Sequence, residues 1–296
     1  PSITQAHNMN SEKKLTGEDA QLCESNFGYS QNTHIIGVNQ PLGQMYGYVT
    51  DGLYQVSDFD YDAATKTYTL KDGVPYAGEK GNVKPGMWKF KNIDGSKDNK
   101  ITEADKTVIG NAYPKIYGGI NNTFTYKDFD LSIFLTYSIG NDVFNATKLT
   151  NTKTALQNKN VLAVADSKHR WVLVNKAGDL ITDPQEMADI NKGKTVAAIY
   201  DNEAGDTYIH SWAVEDGSFL KLSNITLGYT FPKKMIRKVG LSKLRLYATG
   251  SNLLTWTKYS GFDPEVSTMG NGLTPGVDFG AYPRSRAFVF GINLAF

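Results

Sequence analysis

A period of two, sustained over runs of about ten residues, constrains this chain more than any other feature of it. Between Phe129 and Gly140 the odd positions are Phe129, Leu131, Ile133, Leu135, Tyr137 and Ile139. The even ones are Asp130, Ser132, Phe134, Thr136, Ser138 and Gly140. Successive side chains of a strand point to opposite faces, so one face here is almost wholly apolar. The same alternation holds over 116–126, 224–231, 243–251 and 287–296, and a weaker run covers 42–53. The links between runs are very unequal: 127–128 and 232–240 are short, whereas 54–114, 141–218 and 253–285 are long. Short and long links alternate along the chain, as short periplasmic turns and long extracellular loops do in outer-membrane barrels. The other face carries Gly, Ser, Thr and Asn rather than Lys and Glu, which suits a water-filled or plugged lumen. A soluble β-sandwich explains the period equally well but not the sorting of links by length. The expected fold is all-β: a transmembrane antiparallel β-barrel with long extracellular loops.

Composition narrows the function. Lys and Arg number 31 against 30 Asp and Glu, a net charge of +1, so a phosphate-binding surface is not the main activity and no nucleic-acid partner is expected. Cys23 is the single cysteine and excludes an internal disulfide. No stretch approaches the roughly 18–20 apolar residues of a spanning helix. The mean hydropathy of −0.38 resembles that of a soluble protein. A barrel strand, however, is polar at every second residue and shows no such peak. The chain opens Pro-Ser-Ile-Thr, without an initiator Met or a signal segment, and reads as a mature form or a fragment.

The sharpest local motif runs from Asp94 to Asp105. Set against a calcium loop, Asp94, Ser96 and Asp98 take positions 1, 3 and 5, Lys100 offers its carbonyl at 7, and Asp105 takes 12. Asn99 replaces the usual glycine at position 6, and Asp105 has a shorter reach than the usual Glu. These residues predict a structural Ca2+ site. Trp171, Trp212 and Trp256 could stack sugar rings or form an interfacial girdle. Asp142, Asp166 and Asp179 are candidate ligand contacts, while Lys233, Lys234, Arg237 and Lys238 suit headgroups or solvent. No Ser/His/Asp or Cys/His set has supporting context, so an enzyme is not expected.

Several segments carry a family resemblance. They are Pro41–Tyr48 with Thr50–Tyr54, Lys84–Gly95 followed by Ile101-Thr102, Asp105 and Val108–Asn111, and Tyr117-Gly118-Gly119 with Tyr126–Ser132. Further along come Val214–Leu222 with Asn224–Tyr229, then Asn252-Leu253, Tyr259–Glu265, Tyr282-Pro283-Arg284 and the strand ending at Phe296. In this order they resemble the C-terminal part of SusC/RagA-type TonB-dependent outer-membrane transporters of Bacteroidetes. Such transporters have a signal peptide, a carboxypeptidase-like domain, a TonB box, a plug and a 22-stranded barrel. The resemblance implies that 1–296 is a C-terminal portion of that barrel, without plug, TonB box or N-terminal strands. It further implies the bacterial outer membrane, a SusD-like surface lipoprotein as partner, TonB acting through the N-terminal region, and import of an oligosaccharide or, less often, a peptide. Loops 54–114, 141–218 and 253–285 would then be extracellular, and 42–53 would be an outward-running wall strand. The competing readings are a calcium-bearing β-sandwich adhesin or carbohydrate-binding module, and a glycan-processing enzyme, which needs a carboxylate pair across a cleft.

Overall fold

The computed structural model describes residues 1–15, 19–26, 30–152, 160–200, 208–268 and 271–296. Its largest element is a six-stranded sheet of β1 (Ser2–Ala6), β2 (Ile116–Tyr126), β3 (Phe129–Ile139), β4 (Phe219–Thr230), β5 (Lys243–Thr257) and β6 (Ala287–Ala295). The strands lie side by side in chain order, each antiparallel to the next. Sequence-adjacent strands pair because the hairpin at Lys127-Asp128 is only two residues long, with Lys127 at φ 52°. The β4–β5 link closes through a one-turn helix, Lys233–Ile236, and a 3-10 turn ended by Gly240 at φ 77°.

Residues directly opposite each other share a face, so the register assigns the two surfaces. Leu131 stands beside Phe124 and Leu227, Ile133 beside Asn122 and Ile225, and Leu246 beside Tyr229 and Ile292. Phe290 joins this apolar face opposite Ala248. The opposite face is a ladder of polar pairs. Thr226 and Thr249 share a hydrogen bond of 2.8 Å, and Ser251 donates to Asn224 at 2.7 Å. Arg245 grips Asp130 at 3.0 and 2.5 Å. Gly228 leaves room for that grip: a Cβ there would lie 2.4 Å from Arg245 Nη2.

In β4 the register shifts on both sides at Ser223, a bulge whose hydroxyl meets Thr136 at 2.7 Å. The apolar positions change phase there, from Leu220 and Leu222 to Ile225 and Leu227. Among the described residues nothing packs on the apolar face. Phe290 is 79%, Ile292 64% and Leu227 51% exposed. A sandwich would bury these positions under a second sheet, so that reading is discarded.

Buried packing is concentrated instead where β1 ends, β2 begins, β3 ends, β4 begins, β5 ends and β6 begins. The long connections fold together there. A four-stranded sheet orders Lys106–Asn111, Gln44–Tyr48, Ser30–Gly37 and Ala20–Asn26, and Asp142–Asn145 is flanked by Val214–Asp216 and Val277–Asp278. Met45, Phe144, Ala146, Leu149, Ile209, Ala213 and Val277 form one buried cluster, and Phe90, Trp88, Tyr48 and Trp171 belong to another. No helix among the described residues is long and apolar enough to cross a membrane, which says nothing of a β-barrel.

One expected wall strand is misplaced by the sequence reading. Segment 42–53 does not join the wall; Gln44–Tyr48 lies inside the loop body, and β1 takes the wall position beside β2. The reason is burial on both sides. Met45 and Tyr48 are both in the core, and Gly47 lies so near the chain that a Cβ would meet the Ile209 carbonyl oxygen at 2.4 Å. Alternation signals a strand but not what covers its second face. The expected loop 54–114 is accordingly part of a longer connection, from Ala6 to Ile116, that holds several strands.

Candidate functional site

A cleft of about 820 Å3 opens on the polar face of β1–β4, where the wall meets the loop body. Tyr113, Tyr117, Phe134 and Thr136 line it with two carboxylates, Asp142 and Glu265. Asp142 Oδ2 accepts the Asn111 N–H at 2.8 Å, and burial pushes its carboxyl above its ordinary 3.8. Aromatic rings beside hydroxyls and acids suit a polar organic ligand held by stacking and hydrogen bonds.

Beside the cleft, the Lys221 ammonium is nearly sealed from water and lies between two acids of the 258–286 connection. It pairs with Glu265 and, at 3.5 Å, with Asp263. Arg284 completes the square, 2.8 Å from Asp263 and 3.4 Å from Glu265. Three separated motifs, around Phe219–Leu222, Tyr259–Glu265 and Tyr282–Arg284, therefore meet in one ion network. A neighbouring clasp uses Glu215, which pairs with Lys148 at 3.0 Å and accepts both the Ser260 N–H and its hydroxyl at 2.8 Å. Burial alone would raise the Glu215 carboxyl, but these donors and Lys148 hold it below its ordinary value. Sequence reasoning named neither Lys221 nor Glu215 as functional. The available signal was a lone Lys inside an otherwise apolar strand run.

His34 sits fully buried at the back of the loop body. Its Nε2–H donates to the Pro275 carbonyl at 2.9 Å, which leaves Nδ1 to accept from the Thr33 hydroxyl at 2.8 Å. Burial lowers its pKa from 6.5 to about 4. A depressed folded-state pKa means that the stabilising contribution is complete above 6.5 and is lost as pH falls towards 4. The expected loss over that window is about 3 kcal/mol at most. Protection factors of the Ser30–Gly37 amides, corrected for the intrinsic slowing of exchange in acid, should fall on acidification, and His34→Gln should flatten that response; unchanged protection factors would refute it.

The calcium-type loop is a chain of tight turns. Asp94 Oδ1 accepts the Ser96 N–H at 2.7 Å, and Asp98 Oδ1 accepts the Ser96 hydroxyl at 2.8 Å and the Lys100 N–H at 3.1 Å. Gly95 and Asn99 take left-handed φ values of 76° and 57°. Asp105 is buried and turned to backbone: Oδ1 accepts from Ile93 and Asp94, and Oδ2 from Thr102. Among the described residues no group of three or more His, Cys, Asp or Glu side chains is gathered as a metal site.

The remaining candidates disperse. Trp171 is buried in the core, so it is neither sugar platform nor girdle. Trp212 packs on Trp88 with ring centroids 4.8 Å apart, under the Lys148 ammonium. Only Trp256, on the apolar face and 52% exposed, keeps a girdle position. Asp166 pairs with the exposed His169 at 2.7 Å, and Asp179 lies exposed in a separate turn; only Asp142 reaches the cleft.

No protein-family model matches the chain. Over 98% of its length it is 30% identical to TonB-dependent receptor P3 of Formosa agariphila, of which it spans 26%. It is 28% identical to the TonB-dependent receptor SusC of Bacteroides thetaiotaomicron over 69% of the chain and 17% of that protein. The solved RagAB peptide transporter superposes on 99% of the chain with a TM-score of 0.62 at 21% identity, using 26% of its own chain. The chain thus spans about a quarter of the length of receptor P3 and of the RagAB chain. With the wall sheet and the motif-bearing loop body in place, these likenesses assign it: the chain belongs to the SusC/RagA-type TonB-dependent outer-membrane transporters, as a C-terminal part of their barrel.

Proposed function

We propose that the chain forms part of the wall and of the outward loop body of a nutrient importer in the bacterial outer membrane. The observation that supports this best is the two-faced sheet: an uncovered apolar face, a polar face with a cleft, and every long connection at one end. In this reading the apolar face meets lipid, the polar face lines the lumen, and β6 runs towards the periplasm. Connections 127–128 and 232–240 are then periplasmic, and segments 54–114, 141–218 and 253–285 lie outside the cell. TonB acts through the plug region, a SusD-like lipoprotein caps the loop body, and the cargo is an oligosaccharide or, less often, a peptide. The chemistry is binding and gating, with no covalent step. RagAB, a relative in fold, is a peptide transporter. Cells lacking the transporter should lose uptake of one labelled class, oligosaccharide or peptide, and the purified transporter should bring down a surface lipoprotein. Unchanged uptake of both classes together with no lipoprotein would reject the reading.

For the loop at Asp94, Ser96, Asp98, Lys100 and Asp105 we propose structural calcium. The ligand spacing and the left-handed turns at Gly95 and Asn99 support it. Binding requires Asp105 to give the ion one of the lone pairs now turned to backbone N–H groups. Outside the cell a dissociation constant on the order of 10⁻⁴–10⁻³ M suffices for occupancy. Calcium titration should slow exchange of the 94–105 amides, and Asp98→Ala should abolish that effect without impairing barrel assembly. No change at millimolar calcium would leave only an acidic turn.

A further inference from the structure

Four cations crowd one short link. Lys233, Lys234, Arg237 and Lys238 occur with no acidic residue between Phe231 and Lys243. All four are exposed, and among the described residues none is held in an ion pair. Like charges this dense repel one another unless an anion sits among them. The turn also spaces Lys233 with Arg237, Lys234 with Lys238, and Met235 with Val239, each pair four residues apart. Ile236 is buried and pins the turn, while Met235 is 60% and Val239 70% exposed. Free apolar side chains beside unpaired cations are the composition of a surface that lies in a lipid interface.

The position fits. This link leaves the wall at the same end as Lys127-Asp128, where Tyr126, Phe129, Tyr229 and Phe231 line the rim of the sheet. We propose that the 232–240 turn binds an anionic phospholipid of the periplasmic leaflet. The cations meet the headgroup phosphate, and Met235 and Val239 enter among the acyl chains. This rests on the membrane reading given above.

The test uses the intact transporter in nanodiscs of phosphatidylcholine with or without phosphatidylglycerol. Native mass spectrometry should show phosphatidylglycerol retained preferentially. Replacing the four cations of the turn (Lys233→Gln, Lys234→Gln, Arg237→Gln, Lys238→Gln) should weaken that retention about tenfold or more. Met235→Ser with Val239→Ser should weaken it less and preserve its salt dependence. Inorganic phosphate should not compete, which separates a lipid from a free anion. Heat-modifiable migration checks that each variant is a folded barrel. No preference in the wild type, or the same preference in the four-cation variant, overturns the proposal. Nanodiscs have no sidedness, so an inverted barrel would appear separately, as labelling of a cysteine at position 238 from outside intact cells.

Discussion

Ile133→Arg is expected to cost about 2–4 kcal/mol of barrel stability, the usual penalty for Arg on the lipid face near mid-bilayer. Ile133 lies centrally in β3, between Asn122 and Ile225, on the face nothing covers. Ser132→Arg, one residue away, points into the lumen beside Thr123 and Thr226 and should be nearly neutral. Refolding into liposomes across a urea series measures both. Equal penalties would mean that the two faces are equivalent, and the lipid assignment would fall.

Lys221→Met should cost about 3–5 kcal/mol, because it takes the sealed cation away from the buried Asp263 carboxylate rather than merely removing a contact. Asp263 and Glu265 would face each other with only the half-exposed Arg284 between them. The loss should be local: segment 258–268 should become protease-sensitive while the wall stays folded. Adding Asp263→Asn and Glu265→Gln should recover much of the protection, since the stranded charges are then gone. If Lys221→Met leaves the segment protected, the network does not fasten the loop.

The wall was legible because lipid on one side and water on the other impose a strict two-residue rhythm on β2 to β6. β1 was not, because Ser2–Ala6 is too short to display a rhythm. Segment 42–53 misled for the opposite reason: it shows a weak alternation, yet Met45 and Tyr48, on opposite faces of the strand, are both buried. The loop body was read as long loops because its strands are short and pair across distant segments, as Phe144 does with Val277. The ion network was visible only as motifs. Nothing in the order of Lys221, Asp263 and Arg284 along the chain says that they meet.

The extra residue at Ser223 gives β4 two phases. From Ile225 onward the odd positions face lipid. Were that phase to continue unbroken, Lys221 would also point into the membrane, while Leu220 and Leu222 would face the cleft. Inserting one residue inverts this. The strand can therefore stay greasy along its lower half and still deliver a cation inward at its upper end, where Asp263 and Glu265 wait. Deleting Ser223 would remove the bulge and leave Leu222 and Asn224 as ordinary neighbours in the ladder, so Lys221 would still point inward and the Thr136 hydrogen bond would be the main loss. The coupling between wall and loop body hangs on Ser223 staying out of the ladder: drawn into the pairing, it would turn Lys221 outward with no change of sequence.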